Sequence, residues 1–201
     1  MEIERFVNKI FNSNTYLLTK SGEKNVWIID PGDSSSKIAK RINAENRILS
    51  GILLTHAHFD HIYGVNELVE LFPFANIYAS FFAIEIMNSP KLNGSYYQEI
   101  PFTINKSLHK NLAEGDKKQL WSETELTVYE TPGHSPDCLS FFVNKNLFTG
   151  DALIPGIKVF TKLKNGNKIQ AANSVEKILQ TFEGNTMIWP GHEANCLLYT
   201  I

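Results

Sequence analysis

Apolar residues fall along this chain in two rhythms, and their alternation predicts a mixed α and β architecture. Short runs rich in β-branched and aromatic residues, bounded by turn formers, predict strands over Ile3–Val7, Thr15–Thr19, Val26–Ile29 and Gly51–Thr55. The same pattern predicts later strands over Asn76–Ala79, Glu125–Glu130, Leu139–Val143, Asn146–Thr149 and Thr186–Trp189. From Ile62 to Phe72 the period changes: Ile62, Val65, Leu68, Val69 and Phe72 recur at three- and four-residue spacings, the mark of a helix with one buried face, which ends before Pro73. Two more helices are expected over Ser80–Met87 and Ser174–Phe182. The stretches Asn88–Asn105 and Pro155–Lys168 carry neither rhythm and read as long loops, the kind that functional sites often use.

The chain has 201 residues, long enough to bury a sizeable core, and is read as a single domain over residues 1–201, with a division into two halves open. A hydrophobic fraction of 43% with 20% charged residues is that of a globular protein. The formal net charge is −2 and no block of five or six like charges occurs, so a nucleic-acid partner is not expected. No run reaches the roughly 18 apolar residues of a membrane span, and the acidic N-terminal segment does not look like a signal or transit peptide. A cytoplasmic location is the default expectation. The two cysteines, Cys138 and Cys196, form no C-x-x-C pair and suggest neither a disulfide framework nor a sulfur-rich zinc site.

Chemistry concentrates in Thr55-His56-Ala57-His58-Phe59-Asp60-His61, where four metal-ligand types occupy six positions between an expected strand and an expected helix. Neutral imidazole and carboxylate suit zinc, and also iron or manganese. Asp60 stands near the start of the helix, where an anion is favoured without any metal. Three later segments share one design, a strand running into a tight turn that carries one donor: Glu130-Thr131-Pro132-Gly133-His134, Phe148-Thr149-Gly150-Asp151 and Trp189-Pro190-Gly191-His192. Proline and glycine fix such turns and so aim the donor. Five of the six histidines fall in these segments, and His109 alone lies outside them. Taken singly, Asp151 after Thr-Gly and Asp30 before Pro-Gly are ordinary turn residues.

His-x-His-x-Asp-His, Thr-Pro-Gly-His-Ser, Thr-Gly-Asp and Pro-Gly-His stand here in the order and spacing of the metallo-β-lactamase superfamily, and the resemblance covers nearly the whole chain. Ile29-Asp30-Pro31-Gly32 resembles that family's first acidic motif. The resemblance implies an α/β fold of four layers, an αββα sandwich, and within the family it is nearest the glyoxalase II-like thioesterases. It further implies two divalent metal ions, zinc first, with His56, His58 and His134 on one, Asp60, His61 and His192 on the other, and Asp151 bridging. Asp60 and Asp151 would be the carboxylates of the reacting centre. Two ions sharing one water can lower its pKa toward about 7 and clamp the developing charge, which suits hydrolysis of small thioesters or related acyl compounds. Asp30, Thr55, Thr149 and Ser135 are candidates to orient the ligand rings.

Other readings of the same residues stay open. A persulfide dioxygenase-like oxidoreductase shares these motifs and uses one iron. Ribonuclease-like and lactamase relatives share the fold, and a fold does not select among them. Glyoxalase II enzymes carry a helical extension after the last metal histidine, whereas nine residues follow His192 here, so glutathione is not singled out as the thiol. Lys158, Lys162, Lys164 and Lys168 follow Asp151 and could attract an anionic small-molecule substrate, or form a solvated basic loop. Phe59, Tyr63, Tyr96 and Tyr97 are packing residues or pocket walls. Cys138 is expected to pack as a small hydrophobe.

Overall fold

The computed structural model describes residues 1–104 and 109–200. Its contacts divide the chain into two compact units, residues 1–111 and 112–201. The described strands form two six-stranded mixed sheets.

In the first unit the sheet order is β1 (Glu2–Val7), β2 (Asn14–Thr19), β3 (Asn25–Ile29), β4 (Ile48–Leu53), β5 (Asn76–Ser80) and β6 (His109–Leu112). β1, β2 and β3 run antiparallel, while β3, β4 and β5 are parallel. Parallel strands covered by helices read as unbroken apolar runs, as in Val26-Trp27-Ile28-Ile29, all buried. Each parallel step crosses over through a helix, α1 (Ser35–Ala44) between β3 and β4, then α2 (Phe59–Ile62) and α3 (Val65–Leu71) between β4 and β5. Ile38 and Ile42 of α1 and Val65 and Leu68 of α3 join Val26, Ile28, Ile52 and Ile77 of the sheet in one core. Each such buried Ile or Leu contributes about 1.5–3 kcal/mol. The helix expected over Ile62–Phe72 is therefore present but broken at Gly64. A Cβ there would stand 2.4 Å from the Gly32 carbonyl oxygen and 2.6 Å from Ser35 Cβ. The break lets the Gly64 amide donate to the Pro31 carbonyl at 2.9 Å, which seats α2 against the turn after β3.

The expected Asn88–Asn105 loop contains two helical turns, α5 (Pro90–Asn93) and a 3-10 turn over Ser95–Tyr97, while α4 (Ala83–Met87) starts three residues later than expected. Ser89 starts α5 by accepting from the Leu92 amide, with Pro90 at the first helical position. Asn105 lies outside the described residues.

In the second unit the sheet order is β12 (Cys196–Leu197), β11 (Met187–Pro190), β10 (Asn146–Gly150), β9 (Leu139–Val143), β8 (Thr124–Glu130) and β7 (Lys117–Trp121). Only β10 and β11 are parallel, and α6 (Lys168–Thr181) connects them. Ile178 of α6 packs with Leu147, Ile188 and Leu198. α6 begins six residues before the expected start, because Asn167 caps it by accepting from the Ile169 and Gln170 amides at 2.9 and 3.1 Å. Among the described residues no helix is long and apolar enough to cross a membrane.

Candidate metal centre

The first unit presents its donors on one turn. β4 ends at Leu53, Thr55 to His58 follow as irregular backbone, and α2 opens at Phe59. His56, His58, Asp60 and His61 are all buried. The His56 ring lies 4.7 Å from that of His58 and 4.3 Å from that of His61, centroid to centroid. Imidazole is a donor that zinc and other divalent ions take, and three of them are packed here on one turn.

Their tautomers follow from a hydrogen-bond chain that starts at Asp30. Its Oδ1 accepts from the Thr55 amide at 2.7 Å, and its Oδ2 accepts from Thr55 Oγ1 at 2.5 Å. His61 Nδ1 lies 3.1 Å from the same Oδ2, and because a carboxylate can only accept, that nitrogen carries the proton. Thr55 Oγ1 has spent its proton on Asp30, so at 3.1 Å it accepts from His56 Nδ1. Both rings therefore hold their lone pair on Nε2. One ligand-type atom each from Asp30, His56 and His61 lies within 4.8 Å of the other two, but both Asp30 oxygens are already engaged with Thr55. Asp30 is thus a positioning carboxylate, and the resemblance to a family motif foreshadowed it where its local sequence suggested an ordinary turn. It adopts a left-handed φ of 50°, a strain of about 1–3 kcal/mol in a non-glycine residue, typical of functional turns.

Beneath that turn lies a polar network that sequence reading missed. Ser13 Oγ donates to the Asp60 carbonyl at 2.8 Å, and Asn8 Nδ2 donates to Ser13 Oγ and Thr15 Oγ1, both at 3.0 Å. Thr15 Oγ1 donates to the Asp30 carbonyl at 2.7 Å. Asn8, Ser13 and Thr15 are buried, yet a polar stretch such as Asn12-Ser13-Asn14 looks like any surface turn in sequence. Gly32 completes the contact, for a Cβ there would stand 2.2 Å from Asn8 Nδ2 and 2.7 Å from the Asp60 carbonyl oxygen.

The second unit presents one donor per turn: His134 after β8, Asp151 after β10 and His192 after β11. The three converge. Asp151 Oδ2 lies 3.5 Å from His134 Nε2 and 3.5 Å from His192 Nε2. The Gly191 amide donates to the Gly150 carbonyl at 2.8 Å and ties together the turns of His192 and Asp151. His134 Nδ1 lies 2.7 Å from the Phe160 carbonyl, a pure acceptor, so this ring too is protonated on Nδ1 and carries its lone pair on Nε2. Of the other expected orienting groups, Thr149 Oγ1 donates to the Leu153 carbonyl at 2.7 Å and shapes the turn after Asp151. Ser135 Oγ donates to Asp137 Oδ1 and touches no ligand ring through that bond. Cys138 is buried and belongs to none of these donor clusters, as its apolar reading implies.

The donor spacing tests whether a metal fits. Two ligand atoms each about 2.1 Å from one tetrahedral ion stand about 3.4 Å apart. A direct N–H···O bond would instead bring them to about 2.9 Å. The separations are 3.5 Å for His134 with Asp151, 3.5 Å for His192 with Asp151, and 3.4 Å for His61 Nε2 with Asp60 Oδ2. Each unit thus offers imidazole and carboxylate donors at ligand-to-ligand distance, with rings turned to present Nε2. His109, the histidine outside the motifs, starts β6, and burial pushes its imidazole below the ordinary value.

The family model of the Metallo-beta-lactamase superfamily matches residues 9–192, a span that runs through both units without reaching either end. A probable metallo-hydrolase of Bacillus subtilis is 32% identical over 183 residues, covering 90% of this chain and 84% of that protein. A hydroxyacylglutathione hydrolase of Hahella chejuensis is 32% identical over 188 residues, covering 91% of this chain but 63% of that longer protein. The crystal structure of BLEG-1, a B3 metallo-beta-lactamase, superposes with a TM-score of 0.90 at 26% identity, covering 99% of this chain and 95% of that one. The fold expected from the motif order is therefore the fold observed.

Proposed function

The chain belongs to the metallo-beta-lactamase superfamily, and we propose from that premise that it hydrolyses small thioesters or related acyl compounds with two divalent metal ions, zinc first among them. Metal-dependent hydrolysis is the chemistry that the superfamily and the names of these relatives indicate. The finer reading adds the substrate class and the ligand set. His56, His58 and His134 would hold one ion and Asp60, His61 and His192 the other, with Asp151 common to both sets, the ligand assignment that the family resemblance implies. Residues 1–201 act as one functional domain in this reading, supported by a family match that runs through both units. The relative that bears the hydroxyacylglutathione hydrolase name extends beyond the part matched here, so glutathione is not carried over as the thiol.

The observation that carries the proposal is the set of separations of 3.4 to 3.5 Å between imidazole nitrogens and carboxylate oxygens, too long for good hydrogen bonds and right for ligands that share an ion. Divalent ions at such a site supply a nucleophile at neutral pH and a Lewis acid for the carbonyl oxygen. The chain's own work is preorganisation. Asp30 and Thr55 lock His56 and His61, and the Phe160 carbonyl locks His134, so that these three rings need not turn when the site is filled. In the overall reaction water adds its oxygen to the acyl carbon, the carbon–sulfur bond breaks, and the thiol leaves with a proton. Asp60 and Asp151 would be the carboxylates that hold the ions at the reacting centre.

Treatment with a strong chelator is expected to abolish hydrolysis of a short acyl thioester, and added zinc to restore it. Hydrolysis that survives complete metal removal would refute the proposal.

A further inference from the structure

Helix α6 carries more apolar surface than its core contacts use. Ala171, Ser174 and Ile178 form the buried stripe. Beside it, Ala172, Val175 and Leu179 recur at three- and four-residue spacing and line a groove of about 660 Å³. The opposite wall is the segment after β10, with Leu153, Ile157 and Val159. Its shape is held by an Ile157 amide bond to the Ile154 carbonyl at 3.0 Å. Leu179 and Ile157 are each 48% exposed, so the groove presents apolar side chains to solvent. The volume lies in the ~300–1,000 Å³ range of small-molecule sites.

Both walls join the donor turns of the same unit. Phe160, next after Val159, lends its carbonyl to His134 Nδ1, and the Leu153 carbonyl accepts from Thr149, two residues before Asp151. Ala171 abuts the turn of His134 so closely that a Cβ on Gly133 would stand 2.2 Å from its amide nitrogen. Lys158 and Lys168 also line the groove, against the single carboxylate of Glu176.

We propose that this groove seats the aliphatic acyl chain of the substrate, delivered as a thioester of a polar thiol carrier. The assignment rests on the thioesterase reading and names the acyl half of its substrate. The acyl side is where apolar burial discriminates among substrates, because each methylene seated there strengthens binding and the polar carrier does not.

The test is a chain-length series of coenzyme A thioesters, from acetyl to octanoyl, on the metal-loaded protein. The wild type is expected to gain about threefold to fourfold in kcat/KM per methylene seated, the equivalent of about 0.8 kcal/mol. Ala172→Trp, which fills the groove from an exposed position, is expected to flatten the series while acetyl turnover persists; Leu179→Lys is expected to do the same by charging the groove. A second readout does not need turnover: a dansylated undecanoic acid is expected to bind the wild type and to lose most of its affinity in both variants. A flat series in the wild type, or fluorophore binding unchanged in both variants, would overturn the groove. Should no thioester be hydrolysed while the variants still abolish fluorophore binding, the hydrolase reading fails and the groove stands. Light scattering that shows a wild-type dimer split by Ala172→Trp would reassign the groove to self-association.

Discussion

In the first unit four donors crowd into six positions, and two of them, His56 and His61, are locked by side chains, with Asp30 and Thr55 serving both rings. The second unit takes its three donors from three separate turns, and it locks His134 with a main-chain carbonyl. The difference teaches where each cluster is vulnerable. A carboxylate that serves two histidines concentrates risk in one side chain, whereas a carbonyl is indifferent to the side chain of the residue that supplies it. Asp151 is the exception in the second unit, since its Oδ2 stands at coordination distance from both His134 and His192.

That contrast can be broken most forcefully at Asp151. Asp151→Asn keeps the shape and removes the charge, so the fold should persist by circular dichroism while elemental analysis shows one ion lost. Turnover should fall by more than the 10- to 100-fold that supporting groups typically cost. Retained occupancy and turnover would remove Asp151 from the centre. Next comes Asp30→Ala, which leaves the Thr55 amide, Thr55 Oγ1 and His61 Nδ1 without their acceptor. Each stranded buried donor costs about 1–3 kcal/mol. Thermal melting of the metal-free protein should drop clearly, and metal affinity should fall about 10- to 100-fold. A metal-free protein as stable as wild type would show that the Asp30 chain does not hold the first cluster.

Gly133→Ala probes the second cluster through its backbone. The position has φ +138° and no room beside Ala171, so the substitution is expected to cost about 2 kcal/mol or more by denaturant unfolding and to loosen His134. Smallest of all should be Phe160→Ala, at a side chain 53% exposed whose carbonyl survives the change. Metal affinity within about twofold of wild type is expected, in keeping with the ±0.5 kcal/mol typical of surface substitutions. A drop as large as that of Asp30→Ala would mean that the Phe160 side chain, not its carbonyl, supports the ring.

The same contrast explains what could be read from sequence. Central strands such as Val26–Ile29 and Leu139–Val143 announce themselves because burial on both faces demands apolar residues, and both were legible to within a residue. The strands that escaped notice, β6, β7 and β12, are all sheet edges. Edge strands such as Lys117-Lys118-Gln119-Leu120-Trp121 carry lysines that discourage further pairing, and this hides the apolar rhythm. Helix α1 was missed because only Ile38, Ala39 and Ile42 supply its apolar face within a polar run. Within the donor clusters, the dense first turn and the Pro-Gly turns were visible as residue types. The support was only partly so: Asp30 and Thr55 could be suspected, but Ser13 and Asn8 read as surface, and a carbonyl such as that of Phe160 leaves no mark in sequence.

The most direct test of the central claim is metal identity and stoichiometry by elemental mass spectrometry on protein purified without added metal, with oxygen uptake followed in the presence of a persulfide. Close to two divalent ions per chain, zinc foremost, with no oxygen consumed, is the result predicted. One iron per chain with oxygen uptake would contradict it and move the protein to the oxidoreductase reading.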